Sequence, residues 1–210
     1  MKEGVTQFSC VLEAASPGTS PELQDLQAAR HGLFLRDVVG CDLRRYGACY
    51  GNLSARVGPW AAPPGRREFI VSCTQTGADP DPGAASWVRV RRYDHRQNRV
   101  WATGPCAPSS ESLTHGALYD AALSVRAVVH GHDRQTWLWL LANGAPATPA
   151  DVGYGTPEMA AAASGVVAKT WRYPNVFAMS GHEDGVVTYG ESVAAATRAF
   201  LAVWEAARIR

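Results

Sequence analysis

Ala127-Val128-Val129-His130-Gly131-His132 is the stretch from which the rest of the chain is best read. Three small or β-branched apolar residues run into two histidines at i and i+2. This predicts a buried strand, and the two-residue period of a strand sets both imidazoles on one face. Two imidazoles on one face are half of a metal site. A catalytic zinc takes three protein ligands, commonly imidazole and carboxylate, and keeps one position for water or substrate. On these six residues alone a second reading stays open: two ordinary histidines on a strand that ends at the surface. The flanking residues exclude some familiar uses of the pair. A binuclear hydrolase of the form His-x-His-x-Asp-His needs an aspartate where Arg134 stands, and a cupin needs a glutamate near Thr136. An amidohydrolase barrel carries its His-x-His on the first strand of a longer chain.

Bulk properties narrow the partner. With 210 residues, 46% apolar and 19% charged, the chain fits one globular core and is too short for two comfortable domains. A net charge of +1 provides no field for nucleic acid or an acidic membrane, so the expected partner is a small molecule. Lys2 and Lys169 are the only lysines and neither sits in a motif, which argues against Schiff-base chemistry. Met1 to Ser16 lacks the apolar run and cleavage signature of a secretory signal, and no stretch approaches the ~20 apolar residues that cross a bilayer. Cys10, Cys41, Cys49, Cys73 and Cys106 are odd in number and never spaced Cys-x-x-Cys. That favours reduced thiols in a cytoplasmic protein over a disulfide framework.

Working outward from the histidines, helix and strand signals alternate. Ser20-Pro21-Glu22 is a helix start, with Leu23, Leu26, Ala29 and Leu33 repeating at helical spacing to about Val39. Gly51-Asn52 is a turn into a strand carrying Leu53, Ala55 and Val57 on one face. Glu68 to Cys73 predicts another strand, ending in the hydroxyl-plus-glycine turn Thr74-Gln75-Thr76-Gly77. Trp87 to Tyr93 and Arg99 to Thr103 predict a hairpin. Pro108-Ser109-Ser110-Glu111-Ser112 leads into a helix from Leu113 to Val125, where a glutamate at the start reads first as a capping residue. Trp137 to Leu141 is a short helix ended by Asn143-Gly144. Thr156-Pro157-Glu158 opens another to about Lys169, Val176 to Met179 and Gly185 to Tyr189 are strands, and Ser192 opens the last helix. The order predicts an α/β fold: a single-domain three-layer α/β/α sandwich over residues 20–210, with a central, largely antiparallel or mixed sheet, and an N-terminal arm over residues 1–19.

Five of these stretches, in order, resemble the class II aldolase/adducin family. They are Gly51-Asn52-Leu53-Ser54-Ala55-Arg56; Thr76-Gly77; Pro108-Ser109-Ser110-Glu111 with His115 and Tyr119 behind it; Val128 to His132; and His182 ahead of Gly185-Val186-Val187-Thr188-Tyr189-Gly190. The resemblance implies a divalent cation held by His130, His132 and His182, zinc first, with manganese, iron or cobalt also suited to the donors. It implies Glu111 as the acid/base beside the cation and Asn52, Thr76, Gly77, Ser109 and Ser110 as the turns that hold a substrate phosphate. It further implies a homotetramer with sites at subunit interfaces, and a lyase of the aldolase type acting beside a carbonyl through a metal-stabilised enediolate. A decarboxylase or dehydratase on the same scaffold is the alternative, and a non-catalytic adducin-like module the third reading. His115, one helical turn after Glu111, is expected to support the site or pack behind it.

The sequence departs from the family pattern in two places. The segment from His132 to Gly155 is shorter than in the sugar-phosphate aldolases, where it carries a proton-donating tyrosine; Tyr154 and Tyr189 are the candidates for that role here. After His182 the usual glycine is displaced by Glu183-Asp184, which reads as a solvated turn.

Overall fold

The computed structural model describes residues 6–169 and 175–209. From the N-terminus, β1 (Ser9–Ala14) is followed by α1 (Pro21–Phe34), the short strands β2 (Gly40–Asp42) and β3 (Ala48–Tyr50), β4 (Asn52–Arg56), β5 (Phe69–Ser72), β6 (Trp87–Asp94) and β7 (Arg99–Gly104). The second half runs α2 (Ser112–Ala121), β8 (Ala127–His132), α3 (Arg134–Ala142), β9 (Ala147–Thr148), α4 (Pro157–Val167), β10 (Val176–Met179), β11 (Gly185–Gly190) and α5 (Val193–Ala206). Among the described residues β2 and β3 pair with each other, and the other nine strands form one sheet in the order β1-β7-β6-β5-β4-β8-β11-β10-β9. Its pairs are antiparallel except β1 with β7 and β9 with β10.

The histidine strand β8 lies inside this sheet, between β4 and β11, and all six of its residues are buried. Alternation sorts its side chains. Val128 joins the core under α2 and α4, with Leu113, Leu118, Met159 and Ala163; Ala127 and Val129 join the core under α1, α3 and α5, with Leu26, Leu33, Leu140 and Phe200. The sheet is thus the middle of three layers, as expected. Burial of each of these valines contributes about 1.5–3 kcal/mol. His130 and His132 share the face of Val128, so they point toward α2. Gly131 points the other way, and a Cβ there would stand 2.3 Å from Val38 Cγ1 and 2.9 Å from Phe200. Glycine between the histidines lets α5 and the segment after α1 close on the back of the strand.

The caps read from the sequence are in place. The hydroxyls of Ser20, Thr156 and Ser192 accept from the N–H groups of Leu23, Met159 and Ala195, each worth about 1 kcal/mol. α1 ends at Phe34 and not near Val39. Asp37 takes the left-handed conformation at φ 55°, and the Val38 N–H returns to the Leu33 carbonyl, so the chain reverses and tucks Val38 and Val39 into the core. α2 stops at Ala121, earlier than Val125. The segment before Ser20 lays β1 along β7, with Val11 and Leu12 exposed at 42% and 40%.

The expectation of reduced thiols is corrected for four of the five cysteines. Cys41 is bonded to Cys49 across the β2–β3 pair, Cys73 to Cys106 across 33 residues, and Cys10 is free. No helix of the described residues is long and apolar enough to cross a membrane.

Candidate metal centre

Antiparallel pairing sets the partners of the two strand histidines. On β4, Asn52 stands opposite His130; on β11, Val187 is opposite His130 and Gly185 is opposite His132. The turn into β11 supplies the third ring: the His182 carbonyl accepts from the Gly185 N–H at 2.9 Å and its own N–H donates to the Met179 carbonyl at 3.1 Å. That turn brings His182, 50 residues beyond His132 in the sequence, onto the same spot. The ring centroids lie 5.0 Å (His130–His132), 5.0 Å (His130–His182) and 4.7 Å (His132–His182) apart. One nitrogen from each ring falls within 4.8 Å of the others, and the three residues are 1%, 3% and 5% exposed.

Glu111 reaches the cluster from the residue before α2. It occupies the N-cap position of α2 and its side chain makes no capping hydrogen bond. It is 2% exposed; Oε2 contacts His130 Nδ1, and Oε1 lies 3.4 Å from His182 Nδ1. The Asn52 amide donates to Oε2 at 3.3 Å. Burial pushes the Glu111 carboxyl up, but the His130 and His182 imidazoles beside it prevail and hold it well below the usual carboxylate range. Glu111 is therefore a carboxylate. Burial also holds His132 far below the usual histidine range, in the neutral form whose lone pair can ligate. Three buried imidazoles converging beside a buried carboxylate form a donor set that fits a divalent cation, and such a cluster is costly to bury for packing alone.

His115 sits one turn behind. Its Nδ1 and the Tyr119 hydroxyl both meet Ser54 Oγ at 2.6 Å, and burial lowers its pKa to about 3. It is a neutral ring that props α2 against β4, as its spacing suggested. Of the two tyrosines, Tyr154 stacks on His182 with centroids 4.6 Å apart and planes at 27°. Tyr189 lies on β11 opposite Val128, within the apolar core under α2 and α4.

Asn52, Thr76, Gly77, Ser109 and Ser110 line one cavity of about 20 Å³ with Thr74 and Gln75. Its walls are amides, hydroxyls and glycines together with Cys49 and Cys73, and none of the described residues lining it is a carboxylate. Gly77 is required by close approach, since a Cβ there would stand 1.9 Å from the Gly40 carbonyl oxygen. Behind this turn is a residue the sequence did not mark: Arg30 of α1, 1% exposed, donates to the Thr76 carbonyl and, at 3.3 Å, to that of Asp79. A second cavity, of about 490 Å³, opens beside His182 and Tyr154 and is walled by Arg45 and Tyr46. Both residues were missed because they sit in the turn of a hairpin whose strands are three residues each. The reading of Glu183-Asp184 as a solvated turn is half corrected. Glu183 is exposed and pairs with Arg134, while the Asp184 side chain has no exposed surface.

Residues 44–210 match the family model described as Class II Aldolase and Adducin N-terminal domain. Among solved structures, an L-fuculose-1-phosphate aldolase from Thermus thermophilus superposes with a TM-score of 0.63 at 16% identity, over 88% of this chain and 90% of that one. A sugar-phosphate aldolase from Thermotoga maritima gives 0.65 at 14% identity, over 89% and 91%. YgbL from Klebsiella pneumoniae, described as a putative aldolase/epimerase/decarboxylase, gives 0.64 at 20% identity, over 91% and 89%. At these identities the superpositions speak to the fold. No curated protein matches the sequence.

Proposed function

The chain belongs to the class II aldolase and adducin family, and on that premise we propose that it is a divalent-metal-dependent lyase of the aldolase type. In this reading it makes or breaks a carbon–carbon bond next to a carbonyl in a small hydroxy-carbonyl compound that carries an anionic group. The observation that carries the reading is the convergence of His130, His132 and His182 with Glu111 between the rings. A cation held by the three imidazoles, zinc first, supplies Lewis acidity to a neighbouring carbonyl or hydroxyl oxygen.

The chain's own groups do the rest. Glu111, a carboxylate at the start, takes a proton from the substrate carbon or hydroxyl at one of its oxygens and returns it at the end of the cycle. Asn52 donates to Glu111 Oε2 and so fixes the direction in which the carboxylate points. Because Asn52 also lines the small cavity, the base and the anion cradle are joined through one side chain. Thr76, Gly77, Ser109 and Ser110 present hydroxyls and backbone to the anionic group of the substrate, and the Arg30 guanidinium behind them adds positive potential. Of the two candidate tyrosines this reading takes Tyr154, which stacks on His182, as the donor of a proton to the leaving aldehyde.

Loss of carbon dioxide or water beside the same carbonyl uses the same base and ligands, so reaction type is decided by substrate. The experiment is a panel of hydroxyketone phosphates, hydroxy acids and 3-oxo acids offered to the metal-loaded protein, read for aldehyde, carbon dioxide and dehydration product. Aldehyde release from a phosphorylated hydroxyketone is the expected result. Carbon dioxide or water loss alone moves the assignment to decarboxylase or dehydratase, and inertness across the panel with less than one cation bound per chain favours the non-catalytic module. The expected assembly, a homotetramer with sites at subunit interfaces, is checked by sedimentation of the same preparation.

A further inference from the structure

The two residues inserted after His182 do more than turn the chain. The Asp184 side chain is fully buried, and a buried carboxylate persists only where partners hold it. Its Oδ2 accepts from Arg45 Nη2 at 2.6 Å and from the Tyr46 hydroxyl at 2.7 Å, 139 and 138 positions away. Its carbonyl accepts from the Asp133 N–H at 3.0 Å, and its backbone sits in the left-handed region at φ 65°, which a non-glycine residue enters at a cost. Asp184 is thus pinned on one side to the end of β8 and on the other to the tip of the β2–β3 hairpin.

Those bonds set Arg45 and Tyr46 against the imidazole cluster. The Tyr46 ring meets His132 edge-on with centroids 5.1 Å apart and packs on Tyr50 at 5.0 Å, and the Arg45 guanidinium lies 5.1 Å over the Tyr46 ring. Together they line the cavity of about 490 Å³ with His182, Tyr154 and Asp151, and this cavity shares no described lining residue with the anion cradle. Arg45 is 46% exposed, gives one amino group to Asp184 and lines the cavity. Asp184 offsets its charge. The walls therefore offer a guanidinium as donor, the Asp151 and Glu183 carboxylates as acceptors and two phenol rings, which suits hydroxyl-bearing carbons and does not suit a second anion.

We propose that Asp184 is a positioning residue and that Arg45 and Tyr46 are specificity determinants, holding a neutral, multiply hydroxylated tail of the substrate beside the metal centre. The inference rests on the metal-site reading given under Proposed function. Two chelating probes separate the two ideas: glycolohydroxamate, which engages a bound cation without a tail, and 2,3,4-trihydroxybutanohydroxamate, which adds one. Calorimetric titration of the zinc-loaded protein is expected to give at least about tenfold tighter binding of the longer probe, the worth of one or two oriented hydrogen bonds. Arg45→Ala and Asp184→Asn are expected to erase that ratio while leaving the affinity for glycolohydroxamate within about twofold, a change too small to involve a lost hydrogen bond. Equal affinities of the two probes for the unaltered protein overturn the inference, and so does a tenfold ratio that survives in Arg45→Ala shown to be folded by circular dichroism. Because that change leaves the buried Asp184 carboxylate short of a partner, Asp184→Asn, which keeps an acceptor for both Arg45 and Tyr46, is the second variant read the same way. Failure of both probes to bind the unaltered protein overturns the metal reading and takes this inference with it.

Discussion

The cavity around Asn52, Thr76 and Ser110 holds about 20 Å³, whereas the one around Arg45, Tyr154 and His182 holds about 490 Å³. The first is assembled from strand ends and turns: Gly77 packed on the Gly40 carbonyl, and the Thr76 hydroxyl donating to the Cys73 carbonyl at 2.9 Å. It is small and lined largely by amides, hydroxyls and glycines, the form of a site that recognises one fixed group. The second is walled by a hairpin tip tied down by a single buried carboxylate, and it mixes donors, acceptors and rings. The contrast teaches that one end of a substrate can be held by backbone geometry while the other is chosen by side chains. Glu111 is tied to the first cavity through Asn52 and to the second through His182.

The largest effect should come from what the two cavities share. Glu111→Gln is expected to keep one cation per chain and lower turnover about 10²–10⁴-fold for every substrate, the range for a lost acid/base. Retained turnover with bound metal removes Glu111 from the mechanism and the shared centre with it.

Next in size is a charge placed in the cradle alone. Asn52 is unsuited because it also holds Glu111, but Ser110, 5% exposed, lines the cavity. Ser110→Asp is expected to raise KM for anionic substrates about a hundredfold, through like-charge repulsion of a few kcal/mol, and to leave neutral hydroxy-carbonyls nearly unaffected. Equal losses for both would show that the cavities do not divide the substrate.

A smaller effect probes the support behind Glu111. His115 has a folded-state pKa near 3, below its ordinary 6.5, so the unfolded chain binds the extra proton. Stability carried by the neutral ring is complete above pH 6.5 and is lost as pH falls from 6.5 toward 3, by roughly 1.4 kcal/mol per pH unit across that window. Apoprotein carrying His115→Gln should therefore lose less Tm between pH 7 and pH 4 than the unaltered apoprotein. Parallel pH profiles would place His115 outside this account. The smallest is a count: denatured without reductant, the protein should show one reactive thiol, Cys10, because the bonds Cys41–Cys49 and Cys73–Cys106 leave it alone. Five thiols would show that the hairpin and the cradle stand without those bonds.

Much of the fold, the strand half of the metal centre and the turns of the first region were legible because their signals are local. His130 and His132 share a strand face by spacing alone, the Ser20, Thr156 and Ser192 caps precede apolar repeats, and the Gly and hydroxyl turns declare themselves. His182 was legible only by resemblance, since no spacing rule links it to a strand 50 residues earlier. The second region was opaque for physical reasons. β2 and β3 are three residues each and too short to show alternation, so the opposition of Cys41 and Cys49 could not be read, and β1 is largely exposed and follows no burial pattern. An aspartate in a turn reads as solvated by default, and only the three-dimensional placement of Arg45 and Tyr46 reveals that Asp184 is buried. The exposed tip of a hairpin therefore hid half of the candidate site.

The claim beneath both cavities is that three imidazoles bind one ion. A crystal structure of zinc-loaded protein, with anomalous scattering collected at the zinc edge, tests it directly. The account predicts a single strong peak about 2.0–2.1 Å from one nitrogen each of His130, His132 and His182. A peak elsewhere, or a His182 ring well outside coordination distance of the ion held by the other two, would contradict it.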